Sequence, residues 1–158
     1  MAVLTAAEAL KWALEIEKNG EAFYNAVARK SAAIFDDEVR ALFEDLAAQE
    51  RGHYQAFQKM LEKVKPDPDL SNVEYEEYQA YLQVALADAL FEGPDKGLTL
   101  AKQAQDRETA LRAAMGFEKD TLLFFYDLRE MVSEAERHAV SSIILEEKAH
   151  LRRLAKML

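Results

Sequence analysis

Two Glu-x-x-His segments are the features of this sequence best suited to chemistry. Glu50 and His53 form the first segment, and Glu147 and His150 form the second. Residues three apart lie on one face of an α-helix, so each segment presents a carboxylate oxygen and an imidazole nitrogen to the same point. Oxygen-rich ligation with one imidazole per metal favours iron or manganese over a closed structural zinc site.

Two further glutamates, Glu17 and Glu118, each precede one of these segments on the inward-facing apolar stripe of a predicted helix. Four ionised carboxylates in an apolar interior would repel one another and would be costly to bury. A pair of metal cations offsets this cost, because the carboxylates become ligands and the histidines bind as neutral imidazoles. The alternative is a metal-free polar network that sets the register of the helices.

Helical periodicity and capping residues place the six positions on four long helices. The predicted helices run from the Thr5–Glu8 capping box to about Ser31, from Asp36 or Asp37 to Pro66, from Asp106 to about Met131, and onward from the Ser133–Glu136 capping box. Between the second and third helices, the sequence predicts a further helix from the Ser71–Glu74 capping box to about Phe91, and a short helical turn within residues 98–105.

These elements predict an all-α, four-helix bundle that forms a single domain over residues 1–158. Short loops join the first long helix to the second and the third to the fourth, so each of these pairs is an antiparallel hairpin. A long crossover containing the extra helix joins the two hairpins. The expected boundaries are about 5–64 for the first hairpin, 65–105 for the crossover and 106–158 for the second hairpin. The two hairpins also resemble each other, since each carries one Glu followed by one Glu-x-x-His. A pseudo-two-fold arrangement is therefore expected.

Composition and charge exclude several classes of site and partner. The chain has 158 residues, no cysteine and a formal net charge of −9. The absence of cysteine excludes disulfides, thiol nucleophiles and thiolate-held zinc or iron–sulfur centres. The negative charge argues against nucleic acid or an anionic membrane surface as the main partner. With neither a signal-like start nor an apolar run of membrane-spanning length, the expected location is cytoplasmic.

The order of these residues resembles the ferritin-like di-iron carboxylate superfamily, and most closely its rubrerythrin-like branch. The resemblance covers nearly the whole chain. It rests on Glu17-x6-Tyr24, Glu50-x-x-His53, the long crossover, Glu118 and Glu147-x-x-His150.

By that resemblance, the chain is expected to hold two iron ions, with manganese as the alternative metal. The resemblance implies that Glu50 and Glu147 bridge the metals, that Glu17 and Glu118 are terminal ligands, and that each metal takes one histidine. It also implies reaction with hydrogen peroxide or dioxygen, electrons from an external donor, and a homodimer.

Two departures from the family pattern bear on activity. Peroxide-reducing rubrerythrins usually carry an extra glutamate three residues before the third-helix ligand, where this sequence has Met115. They also often carry a rubredoxin domain with Cys-x-x-Cys motifs, whereas this chain resembles a stand-alone domain. A non-catalytic iron- or manganese-binding protein is therefore the alternative function. Tyr24, the candidate catalytic residue, either hydrogen-bonds a ligand, acts as a redox-active neighbour of the metals, or is a core tyrosine with a satisfied hydroxyl.

Overall fold

The computed structural model describes residues 5–30, 36–65, 77, 80–81 and 95–158. Five helices are described, and no described residue lies in a strand, which confirms the all-α prediction. The helices are α1 (Ala6–Ala28), α2 (Asp37–Lys63), α3 (Lys96–Gln103), α4 (Arg107–Met131) and α5 (Glu134–Met157). The helix predicted from Ser71 to Phe91 lies outside the described residues, except for residues 77, 80 and 81, which are helical.

Side-chain caps begin three of the long helices where the sequence predicts them. Thr5 forms a capping box at the start of α1. Asp36 accepts a hydrogen bond from the backbone N–H of Val39 at 2.8 Å, and Asp106 accepts one from Thr109 at 2.7 Å. Each cap satisfies a backbone donor that has no partner within the helix, so these residues determine where the helices begin.

Two boundary predictions are wrong in detail. Ser133 is the N-cap of α5, but its side chain makes no capping hydrogen bond, so the predicted capping box does not form. Two acidic residues in the first turn of α5 stabilise the start of this helix instead, because their negative charges interact favourably with the positive end of the helix dipole. Helix α1 ends at Ala28 rather than near Ser31, because the N–H of Lys30 bonds to the carbonyl of Val27 and tightens the last turn.

The long helices pair as two hairpins, α1 with α2 and α4 with α5. The hairpins face each other, since α1 contacts α4 and α2 contacts α5. Their apolar stripes form one core, and its largest fully buried side chains are aromatic and aliphatic: Phe23, Tyr24, Phe43, Phe57, Phe124, Phe125, Leu10, Ile16 and Leu46. Burial of these side chains supplies most of the driving force that holds the bundle together.

Helix α3 docks against α1 through a close backbone contact. The backbone N–H of Gly97 donates to Oδ1 of Asn19 at 3.1 Å, and Nδ2 of Asn19 donates to the carbonyl of Glu15 at 3.0 Å. A Cβ atom at Gly97 would lie 2.1 Å from the carbonyl oxygen of Asn19. Only glycine therefore permits this approach. Among the described helices, none is both long and apolar enough to cross a membrane.

Candidate metal centre

The bundle brings all six predicted ligands together at its centre. Helix α1 supplies Glu17 and α4 supplies Glu118, while α2 and α5 each supply one Glu-x-x-His pair. The four glutamates are fully buried, and the two histidines are at most 4% exposed. Their ligand atoms form two overlapping groups, each within 4.8 Å: Glu17, Glu50, His53 and Glu147 in one, and Glu50, Glu118, Glu147 and His150 in the other.

Glu147 lies between the two histidines. Its Oε1 is 2.9 Å from Nδ1 of His53, and its Oε2 is 2.8 Å from Nδ1 of His150. Glu50 is the second residue common to both groups, with Oε1 3.3 Å from Nδ1 of His150. A carboxylate that presents one oxygen to each of two positions can bridge two cations. These are the two residues that the sequence resemblance implied as bridges.

Glu17 and Glu118 each belong to one group only. Oε1 of Glu17 lies 3.6 Å from Nδ1 of His53, and Oε1 of Glu118 lies 3.5 Å from Nδ1 of His150. The two imidazole rings are nearly parallel, with centroids 5.7 Å apart and an interplanar angle of 18°. Each half of the bundle therefore contributes to a site with three carboxylates and one imidazole.

Many oxygen and nitrogen atoms of this cluster that could bind a metal are buried without a hydrogen-bond partner in the part of the chain that the structure describes. When both imidazoles are neutral with the hydrogen on Nε2, these atoms are both oxygens of Glu17, Glu50 and Glu147, Oε2 of Glu118, and Nδ1 of His53 and His150. An unpartnered buried polar atom typically costs about 1–3 kcal/mol. Carboxylate oxygens and imidazole nitrogens suit iron or manganese, so these residues fit the metals that the sequence predicts.

Burial controls the ionisation of the carboxylates. It raises the pKa of Glu17, Glu50 and Glu118 well above the usual value, and the negative charge of Glu147 adds to the rise. Burial also opposes ionisation of Glu147, but the neighbouring imidazoles of His150 and His53 outweigh it and lower the pKa of Glu147. Glu147 is therefore the carboxylate of this cluster that ionises most readily.

The histidines respond in the opposite direction. Burial favours neutral imidazole, yet the nearby carboxylates outweigh it, raising the pKa of His53 to about 9 and that of His150 still further. Without a metal, the cluster thus retains protons on several of its donor atoms. A cation that binds here has to displace those protons.

Hydrogen bonds at the far side of each ring determine which nitrogen faces the cluster. Nε2 of His53 lies 2.8 Å from Oε2 of Glu146, and a carboxylate accepts, so Nε2 carries the hydrogen. Nε2 of His150 lies 2.8 Å from Oε1 of Gln49, whose amide nitrogen donates to Asp45 at 2.8 Å. Both rings therefore present Nδ1 to the carboxylates, and the hydrogen bond at Nε2 leaves Nδ1 as the nitrogen able to bind a metal.

Sequence reasoning missed Gln49 and Glu146. Their positions could have been noticed in the sequence, because each residue immediately precedes the glutamate of a Glu-x-x-His segment and the two are equivalent in the internal repeat. Each contacts the histidine of the opposite hairpin, and this crossing cannot be inferred from either segment alone. Glu21, a further glutamate of α1, lies outside the cluster and accepts a hydrogen bond from Nε of Arg51 at 2.7 Å.

Tyr24 hydrogen-bonds a predicted ligand. Its hydroxyl donates to Oε1 of Glu118, and its ring contacts Phe23, Phe43 and Phe117. Burial and the negative charge of Glu118 raise the pKa of Tyr24 well above its usual value, so the phenol stays neutral and remains a donor. Tyr24 is thus a buried core tyrosine whose hydroxyl is bonded to Glu118, one of the predicted ligands. Met115 packs against the hydrophobic core.

Comparisons with known proteins agree with this architecture. The rubrerythrin family model matches residues 8–158. A crystal structure from Thermotoga maritima, described as that of a ferritin-like diiron-carboxylate protein, is similar in fold, with a TM-score of 0.70 and 24% sequence identity. That match covers 99% of this chain and 96% of the other chain. No curated protein matches the sequence. The chain therefore belongs to the rubrerythrin family.

Proposed function

We propose that the chain is a non-haem di-iron carboxylate oxidoreductase that reacts with hydrogen peroxide or dioxygen. One observation carries the proposal: two overlapping groups of three carboxylates and one imidazole share Glu50 and Glu147, and most of their buried donor atoms lack a hydrogen-bond partner in the described residues. Two cations would satisfy those atoms together. Iron is the proposed metal, and manganese fits the same donor set.

Each residue has a defined role in this proposal. Glu50 and Glu147, which are common to both groups, would hold both iron ions, Glu17 and Glu118 would each hold one, and each histidine would hold one through Nδ1. Tyr24 holds Glu118 in place through the hydrogen bond that its hydroxyl donates, and it is the proposed catalytic residue. The surrounding aromatic side chains keep bulk water away from the centre.

The iron supplies redox chemistry that none of these side chains can perform, with each ferrous ion giving one electron. Reduction of hydrogen peroxide consumes two electrons and two protons and yields two molecules of water. The sequence contains no cysteine and hence no rubredoxin-type centre. We propose that an external electron donor reduces the iron again before a second turnover.

A specific observation favours the alternative, an iron- or manganese-binding protein without turnover. Met115 occupies the position of the additional carboxylate in peroxide-reducing relatives, and it packs against the core. The thioether is a poor ligand for iron in an oxygen-rich site. The centre could then load and release metal without the extra ligand that supports peroxide reduction.

The first experiment is metal analysis of untagged protein after anaerobic reconstitution with ferrous iron. We expect about two iron ions per chain, and we expect that Glu147→Ala, which removes the carboxylate common to both groups, loses them. Glu44→Ala is the matched control, because Glu44 is an exposed glutamate on α2. Protein that stays metal-free after reconstitution would refute both candidate functions.

Stopped-flow absorbance then separates the two candidates. The diferrous protein is mixed anaerobically with peroxide, or with dioxygen, first alone and then with an excess of reductant. The oxidoreductase proposal predicts rapid oxidation and repeated turnover with reductant. A single oxidation that no reductant reverses would instead identify the alternative function.

A further inference from the structure

The two hairpins are related by an internal repeat, but the residues behind the metal ligands are not equivalent. Gln49 and Glu146 occupy matching positions, each directly before the glutamate of a Glu-x-x-His segment. Each contacts Nε2 of the histidine in the opposite hairpin at 2.8 Å. The contact geometry is thus the same in both halves, while one partner is a carboxylate and the other a neutral amide.

Glu146 places a negative charge behind His53. Its side chain is 54% exposed, and in the described part of the chain its ion-pair partner is His53. A hydrogen bond from an imidazole N–H to a carboxylate is stronger than one to a neutral acceptor, and it makes the opposite ring nitrogen a better electron donor. In His53 that opposite nitrogen is Nδ1, which therefore becomes a stronger electron donor to a bound cation.

Gln49 offers His150 no such charge. Its amide oxygen accepts from the imidazole, and its amide nitrogen donates to Oδ2 of Asp45 at 2.8 Å. Nη1 of Arg153 lies 2.7 Å from the same Asp45 oxygen, so the charge of that carboxylate is compensated. The hydrogen-bond chain behind His150 therefore orients the ring without strengthening Nδ1 as a donor.

A second asymmetry acts in the same direction. Tyr24 donates a hydrogen bond to Glu118, which draws electron density away from that ligand. The repeat places Phe125 at the position equivalent to Tyr24, and its ring has no hydroxyl. Among the described residues, neither oxygen of Glu17 has a hydrogen-bond partner. Glu17 therefore keeps its full donor strength for a cation, whereas Glu118 does not.

We propose that the two metal positions are inequivalent, and that the position lined by Glu17 and His53 binds a divalent cation more tightly than the position lined by Glu118 and His150. Glu146 is the positioning residue that produces most of the difference. This inference rests on the proposed metal centre. It adds an order of loading that the ligand set alone, which is the same in both halves, does not determine.

Cobalt(II) is a suitable probe, because its visible absorption reports each bound ion. Metal-free full-length protein is titrated anaerobically, and crystals grown with one equivalent of cobalt are examined by anomalous diffraction. We expect two binding steps that differ by about tenfold or more, with the first ion beside Nδ1 of His53.

Glu146→Gln makes the two halves alike at this position. We expect it to weaken the tighter step by about tenfold while the weaker step changes by less than about twofold. Glu44→Gln, which removes the same charge from an exposed position on α2, should alter neither step. A purely structural role for Glu146 would weaken both steps equally, so this comparison separates positioning from folding.

Three outcomes would overturn the inference while leaving the metal centre intact. They are first occupancy beside His150, two steps of equal affinity in the unaltered protein, or a Glu146→Gln variant that weakens both steps to the same extent. Failure of the protein to bind cobalt at all would instead overturn the proposed function on which the inference rests.

Discussion

Gly20 leaves the space that the carboxylate of Glu50 occupies. A Cβ atom at this position would lie 2.6 Å from Oε2 of Glu50 and 2.9 Å from the ring of Phe117. Both distances are shorter than ordinary van der Waals contact. An alanine would therefore push a proposed bridging ligand out of place, although it would suit the helix better than glycine does.

For Gly20→Ala, we accordingly expect a clear loss of bound metal. The free energy of unfolding of the metal-free protein should change little. The helix-propensity gain of about 1 kcal/mol partly offsets an overpacking cost of about 1–3 kcal/mol. Metal analysis and thermal unfolding of the metal-free protein measure the two effects separately. Gly52→Ala is the control, since its Cβ would meet nothing within 4 Å. Full metal content in Gly20→Ala would contradict this assignment.

Gly97→Ala should release α3 from α1. The new Cβ would clash with backbone rather than with a flexible side chain, so the helices must separate, and the hydrogen bond to Asn19 is lost. We expect a loss of about 1–3 kcal/mol in the free energy of unfolding. Urea denaturation measures it. Gly52→Ala, in the exposed middle of α2, is the control, and its free energy of unfolding should increase by up to about 1 kcal/mol. A Gly97→Ala variant as stable as this control would contradict the prediction.

Tyr24→Phe should destabilise the metal-free protein, because Oε1 of Glu118 loses the hydroxyl that donates to it. Leaving a buried acceptor unpaired costs about 1–3 kcal/mol. Tyr54→Phe, at a half-buried position on α2, should change stability by less than about 0.5 kcal/mol. Chemical denaturation of both variants makes the comparison. Equal effects in the two would mean that the Tyr24 hydroxyl contributes nothing specific.

The metal-free protein should lose stability as the pH rises from about 6.5 to about 9. The carboxylates around His53 raise its pKa from 6.5 to about 9, against the effect of burial. A group with a raised pKa stabilises the fold when protonated, so this contribution is complete below its unfolded pKa and disappears as the pH passes its folded pKa. The expected loss from His53 is on the order of 3 kcal/mol.

Bound metal should reverse this trend, since cations compete with protons for the same donor atoms. Melting temperatures of metal-free and manganese-loaded protein across that pH range test both statements. His53→Gln should flatten the profile of the metal-free protein, whereas His138→Gln, at an exposed position, should not. A metal-free protein whose stability rises with pH across this range would contradict the assignment.

Local sequence patterns were sufficient to predict the helices and the six proposed ligands. A helical repeat of 3.6 residues places Glu50 and His53 on one face whatever surrounds them, and an aspartate such as Asp106 begins a helix by bonding to its own first turn. The burial cost of Glu17 and Glu118 then pointed to a cation. These features depend on residues a few positions apart, so the chain itself carries them.

Only the tertiary structure determined which residues hydrogen-bond the proposed ligands and how much space surrounds those ligands. Glu146 reaches His53, Gln49 reaches His150 and Tyr24 reaches Glu118 only because two hairpins cross at one particular register. The space beside Gly20 likewise exists only once α1 has packed against the other helices. Residues more than ninety positions apart meet through the summed packing of the whole core, which no local pattern encodes.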